Sequence, residues 1–73
     1  MRTLLFKDYL MNHAYIQFNE VGNLIFELKM NDRLPNNIND ILRDVDYPKH
    51  VVDSLYEKYK NYCNSRDYKY ERL

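Results

Sequence analysis

The sequence has one glycine, two prolines, one cysteine and no tryptophan in 73 residues. Each scarcity excludes something. A β-sandwich or barrel with many tight turns needs more glycine and proline than this, so an all-helical chain is the simplest solution. A phosphate-cradling loop cannot be built from Gly22 alone, which removes the nucleotide-binding enzymes that depend on one. With Cys63 the single thiol, no intrachain disulfide can form, and a reducing cytoplasm is the expected setting. Charge of one sign is lacking too: 11 Lys and Arg stand against 11 Asp and Glu. Phosphate neutralisation normally demands a basic excess, so direct DNA binding is not favoured. Long hydrophobic runs are also missing. Leu4, Leu5 and Phe6 begin like an export signal, but Lys7 and Asp8 end the run before an apolar h-region forms. No segment approaches the roughly 18 apolar residues of a membrane helix.

What is present is a 45% hydrophobic chain with eight tyrosines, enough for one core. Ordering it costs about 110 kcal/mol at roughly 1.5 kcal/mol per residue, which leaves little apolar surface to line a deep catalytic cleft. Residues 1–73 therefore read as one helical domain of four or five short helices.

Thr3 is placed to cap a helix running to about Asn12, with Leu5 and Tyr9, and Phe6 and Leu10, at i and i+4. His13 to Phe18 breaks that pattern. Asn19 and Glu20 then read as a cap and an acidic first turn, followed by Val21, Leu24, Ile25 and Leu28 on one stripe. Gly22 inside this helix costs about 1 kcal/mol against Ala, and so predicts a close backbone approach, most simply a helix crossing. Asn31 to Asn37, with Pro35, has turn composition. Asn37 caps a short helix carrying Ile38, Ile41, Leu42 and Val45. Pro48 suits the first position of a long last helix, whose apolar face is Val51, Val52, Leu55, Tyr56, Tyr59 and then Tyr62 or Cys63. No Gly or Pro interrupts it up to Leu73, so residues 64–73 are expected to be its frayed end. Leu24, Leu28, Ile41, Leu42, Val52, Leu55 and Tyr59 should be buried together.

Catalytic chemistry is poorly supported. No CxxC, HxxxH or HExxH spacing joins His13, His50 and Cys63, so no metal or other cofactor is expected. Cys63 on an apolar face is a packed hydrophobe rather than a nucleophile. Asp40, Asp44 and Asp46, with Arg43 among them, form an acidic cluster; Asp40 and Asp44 share a face away from the apolar stripe and read most simply as solvated. The same charge argues against a helix-turn-helix, whose recognition helix would be repelled by phosphate. The final segment interleaves Lys58, Lys60, Arg66, Lys69 and Arg72 with Tyr59, Tyr62, Tyr68 and Tyr70, as single-strand binders do. Glu57, Asp67 and Glu71 offset three of those five cations, and tyrosine suits protein interfaces equally well.

The motifs "DYLMN" (Asp8 to Asn12), "GNLIFELKMNDRLP" (Gly22 to Pro35), "DIL" (Asp40 to Leu42) and "LYEKY" (Leu55 to Tyr59) occur in that order. Together they resemble the YozE-type, sterile-alpha-motif-like small proteins of Firmicutes and their mobile elements, over about Phe6 to Tyr62. Met11, Gly22, Leu24, Asp32, Pro35, Ile41, Leu42 and Tyr59 match that pattern, whereas Ile25, Leu34 and Asn36 replace its usual Ala, Phe and Lys. The resemblance implies a sterile-alpha-motif-like helical bundle and no catalytic residues.

The leading expectation is thus a non-enzymatic protein-interaction module in the cytoplasm of a Gram-positive host, phage or conjugative element, with a protein partner and no membrane. The alternatives are a mobile-element inhibitor of a host defence nuclease (anti-CRISPR or anti-restriction) and a weak single-strand nucleic-acid binder. Candidate partner-binding residues are Asp40, Arg43, Asp44, Asp46, Lys60, Tyr62, Arg66, Tyr68, Lys69 and Tyr70.

Overall fold

Four amphipathic stripes close on one another in the computed structural model, which describes every residue from Met1 to Leu73. Helix α1 (Phe6–Asn12) buries Phe6, Tyr9 and Leu10. It starts later than Thr3 predicts: Thr3–Leu4 is a short strand, β1, and Leu5 occupies the capping position without a side-chain bond. The cap comes instead from the far end of the chain, as described below. Helix α2 (Glu20–Lys29) opens as expected, the Asn19 Oδ1 accepting from the Gly22 N–H at 2.7 Å, and it buries Leu24, Ile25 and Leu28.

Helix α3 (Ile38–Arg43) is six residues long, with Asn37 Oδ1 accepting from the Asn39 N–H at 2.8 Å. Helix α4 (Lys49–Ser65) begins one residue after Pro48, whose carbonyl accepts the Val51 N–H at 3.0 Å. It buries Val51, Leu55, Tyr59 and Cys63 at steps of four residues. The fold is the expected all-α bundle, with α2 packed chiefly on α4.

Five of the seven expected core residues are buried, and Leu42 and Val52 are only partly so. The α4 stripe centres on Val51, which turns Val52 toward its edge. Leu42 sits next to the end of the six-residue helix, where its neighbour Ile41 takes the inward position. Leu4 and Leu34, outside any helix, complete the core.

The last ten residues depart most from expectation. Helix α4 stops at Ser65, and Asp67 takes the left-handed region at φ 59°. The Tyr68 N–H then donates to the Cys63 carbonyl at 2.9 Å, a Schellman-type end in which aspartate does what glycine usually does. The chain runs back as β2 (Lys69–Tyr70), parallel to β1, pairing Thr3 with Lys69 and Leu4 with Tyr70. A parallel pair needs a long crossover; here it is the whole helical bundle.

Gly22 is buried, and a Cβ built there would overlap the carbonyl oxygen of Gln17. The close approach expected from the sequence is real, but it comes from the loop that precedes α2 rather than from a crossing helix. A solvent-facing helical glycine gains about 1 kcal/mol on conversion to alanine. Gly22→Ala should instead destabilise by about 1–2 kcal/mol, because displacing a packed loop exceeds that gain. Urea unfolding followed by circular dichroism reads the sign directly.

Candidate functional site

The chain ends meet over α4. Tyr59, wholly buried, donates its hydroxyl proton to the Leu4 carbonyl, and the same oxygen accepts the Glu71 N–H at 2.7 Å. The Glu71 carboxylate accepts the Phe6 N–H at 2.8 Å through one oxygen and the Ile38 N–H at 3.3 Å through the other. One side chain therefore caps the starts of both α1 and α3, where negative charge is favoured. The Tyr56 hydroxyl holds the Glu71 carbonyl at 3.0 Å. This strap ties the start of α3 to the end of the chain, and buried Ile38 and Ile41 seat the helix on the core.

Three tyrosine and cysteine groups in this region resist ionisation. Burial raises the Tyr59 hydroxyl well above its ordinary value of 10.0, and burial also raises Tyr9 and Cys63. In the unfolded chain these groups lose their protons first as pH climbs. Stability should hold up to about pH 8, begin to fall as the unfolded cysteine ionises and fall further as the unfolded tyrosines do, at up to about 1.4 kcal/mol per pH unit for each group ionised only when unfolded. Urea midpoints measured between neutrality and pH 11 would show this, with the slope reduced in Tyr59→Phe.

Helix α3, so fixed, forms one wall of a groove whose other wall is the C-terminal half of α2 and whose end is the 31–35 turn. The groove holds about 400 Å³. Its floor is apolar, from Leu28, Leu34, Ile41 and Val45, and its rim carries Glu27, Asp40, Asp44 and Asp46 against one cation, Arg33. Arg43 stands 3.4 Å from Asp40 and 3.9 Å from Asp44, but its side chain is 68% exposed and that of Asp44 87%. Such pairs hold a carboxylate by a fraction of a kcal/mol and are readily exchanged.

The expected acidic residues are thus gathered at this groove, and the expected basic and aromatic ones are not part of it. Lys60 is paired with Glu57 at 2.8 Å, lies 5.0 Å from the Tyr56 ring and has its pKa raised by that carboxylate. The Tyr62 hydroxyl is 2.7 Å from His13 Nδ1, and Arg66 lies over its ring at 5.3 Å. Tyr62, His13 and Tyr9 edge a second hollow of about 220 Å³. Tyr68, Lys69 and Tyr70 line a third, of about 390 Å³, beside Met1. Tyr68 and Tyr70 pack against the core, and Tyr70 meets Tyr56 and Tyr59 edge-on. Tyr59 is wholly buried and Tyr62, Tyr68 and Tyr70 are half-buried, so only part of this aromatic set is open to stack on bases.

Two features had no counterpart in the candidate residues. Glu71 makes its bonds across 65 and 33 positions of sequence, a relation without any local signal. The loop before α2 exposes Tyr15, Ile16 and Phe18, three large apolar residues in a stretch with no helical period. His50 approaches only Glu20, at 3.8 Å, and no three His, Cys, Asp or Glu side chains gather as metal ligands would. No helix is long and apolar enough to cross a membrane.

Fold and site together define a small helical bundle bearing an acid-rimmed, apolar-floored groove. Compared with models of protein families, with curated proteins and with solved structures, the chain matches none.

Proposed function

We propose that this chain is a non-catalytic protein-docking module and that the groove between α2 and α3 is where it docks. The observation that carries the proposal is a groove in which four carboxylates, Glu27, Asp40, Asp44 and Asp46, surround half-buried Val45 and the edges of buried Leu28, Leu34 and Ile41. Polar rims around apolar centres are the anatomy of protein interfaces. Two reactive groups are committed to structure: Cys63 is buried with a raised thiol pKa, and the Tyr59 hydroxyl is spent on two backbone partners. The proposal includes membership of the YozE-type sterile-alpha-motif-like group and a cytoplasmic setting. Its support is that the quoted motifs fall in order on α1, α2 with the turn after it, α3 and α4, and that the single thiol is free.

A photo-crosslinking residue at Val45, in the groove, should give one discrete protein adduct in the native host. The same residue at Asn64, on the last turn of α4, should not. Absence of any adduct at Val45, or equal adducts at both positions, would contradict the groove as the docking surface. The acidic rim also favours a second reading, in which the partner is a host defence nuclease inhibited by occupation of its cationic channel. Undiminished cleavage by purified nucleases at excess protein would dispose of that version alone.

A further inference from the structure

The groove also indicates what it accepts. This inference rests on the docking proposal and names the partner's chemistry. A volume of about 400 Å³ accommodates a few side chains rather than a domain. The base is formed by half-buried Val45 and the edges of buried Leu28, Leu34 and Ile41, and the lip carries four carboxylates, so the best occupant is apolar along its stem and cationic at its tip. Phosphate-bearing ligands have the wrong sign, and a wholly aliphatic segment would leave the rim unmatched. Long cationic side chains lay their methylenes on apolar surface while the charged head stays at the edge. Arginine does this best, because its planar fork meets carboxylates in pairs and is weakly hydrated.

The rim is open to such a guest. Glu27 and Asp46 enter no ion pair, Asp40 and Asp44 have the exposed Arg43 beside them, and Arg33 is the one cation among the lining residues, against four carboxylates. We infer that the groove binds arginine side chains of a cationic segment of a partner protein, stems on Leu28, Ile41 and Val45 and guanidinium groups at the carboxylate rim.

The test uses the whole chain and three dye-labelled peptides of alternating leucine and a second residue: arginine, lysine or the uncharged isostere citrulline. Anisotropy titrations should rank arginine above lysine, with citrulline at least about ten-fold weaker than arginine, and affinity should fall as salt rises. The double variant Asp44→Asn, Asp46→Asn, which removes two exposed charges, should keep the wild-type circular dichroism and bind the arginine peptide about ten-fold more weakly. Lys69→Ala should bind like wild type. Equal binding of the citrulline peptide, unchanged affinity of the double variant, or no binding of the arginine peptide would overturn the inference. If the arginine peptide fails while a Val45 crosslink still captures one partner, the cationic chemistry is wrong and the docking surface stands. If both fail, both proposals fall.

Discussion

Glu71→Ala should lower the unfolding free energy by about 2–4 kcal/mol, because it leaves two helix-start N–H groups without an acceptor and each such loss costs about 1–3 kcal/mol when shielded from water. The amides are those of Phe6 and Ile38. A chain of this length has a total stability of only about 4–11 kcal/mol, so the variant should be unfolded by much less urea. Glu71→Gln keeps an oxygen for one of the two amides and loses the charge, and it should fall between. The effect is also local. Amide hydrogen exchange at Ile38 should accelerate in both variants, since nothing else acid or polar is bonded to that N–H, and α3 should loosen at its first turn.

Tyr59 carries the second large effect. Its ring is wholly buried and meets Phe6 edge-on at 5.0 Å and Tyr9 at 5.4 Å. Tyr59→Phe preserves that packing and removes only the hydroxyl, orphaning the Leu4 carbonyl and the Glu71 N–H. A cost of about 2–4 kcal/mol follows from two unsatisfied backbone groups. Tyr59→Ala adds a cavity worth about 3–5 kcal/mol, which should leave the chain largely unfolded in buffer. The double variant Tyr59→Phe, Glu71→Ala should cost less than the sum of its parts. Each single change already frees the same strap, and residues sharing one network are not additive. Denaturation curves of the four proteins measure this coupling. Additive costs would mean that Tyr59 and Glu71 act independently.

The helices were legible because their signals are local. Asn19 and Asn37 cap where the pattern places them, and the stripes through Leu24, Ile25 and Leu28 and through Leu55 and Tyr59 face inward. Ile41 was legible on the same grounds, and Leu42 was overestimated because a six-residue helix fully buries fewer positions than its period suggests. The first and last segments were illegible for a common reason. Thr3 reads as a helix cap, yet it lies in a strand whose partner is 66 residues away. Likewise, nothing before Asp67 warns that α4 will end, since the residue that adopts positive φ is not a glycine.

For the site, the cluster of Asp40, Asp44 and Asp46 could be seen in the sequence, but its surroundings could not. Whether three aspartates are a solvated face or the lip of a groove depends on how α3 lies against α2. One tie that holds α3 in place, from Glu71 to the Ile38 N–H, comes from 33 residues further along. For the basic and aromatic stretch, the alternation of cations and rings is visible in the sequence, but not that Tyr59 is buried in the core and that Tyr68 and Tyr70 pack partly against it.

The most direct measurement of whether the groove is where this protein works is amide chemical-shift mapping on isotope-labelled whole chain titrated with the arginine and leucine peptide. Shifts should concentrate at Leu28, Asn31, Arg33, Val45 and Asp46, and spare Asn64, Lys69 and the Tyr15 to Phe18 loop. Shifts centred on that exposed loop or on the 64–72 segment, with the groove residues unmoved, would contradict the account.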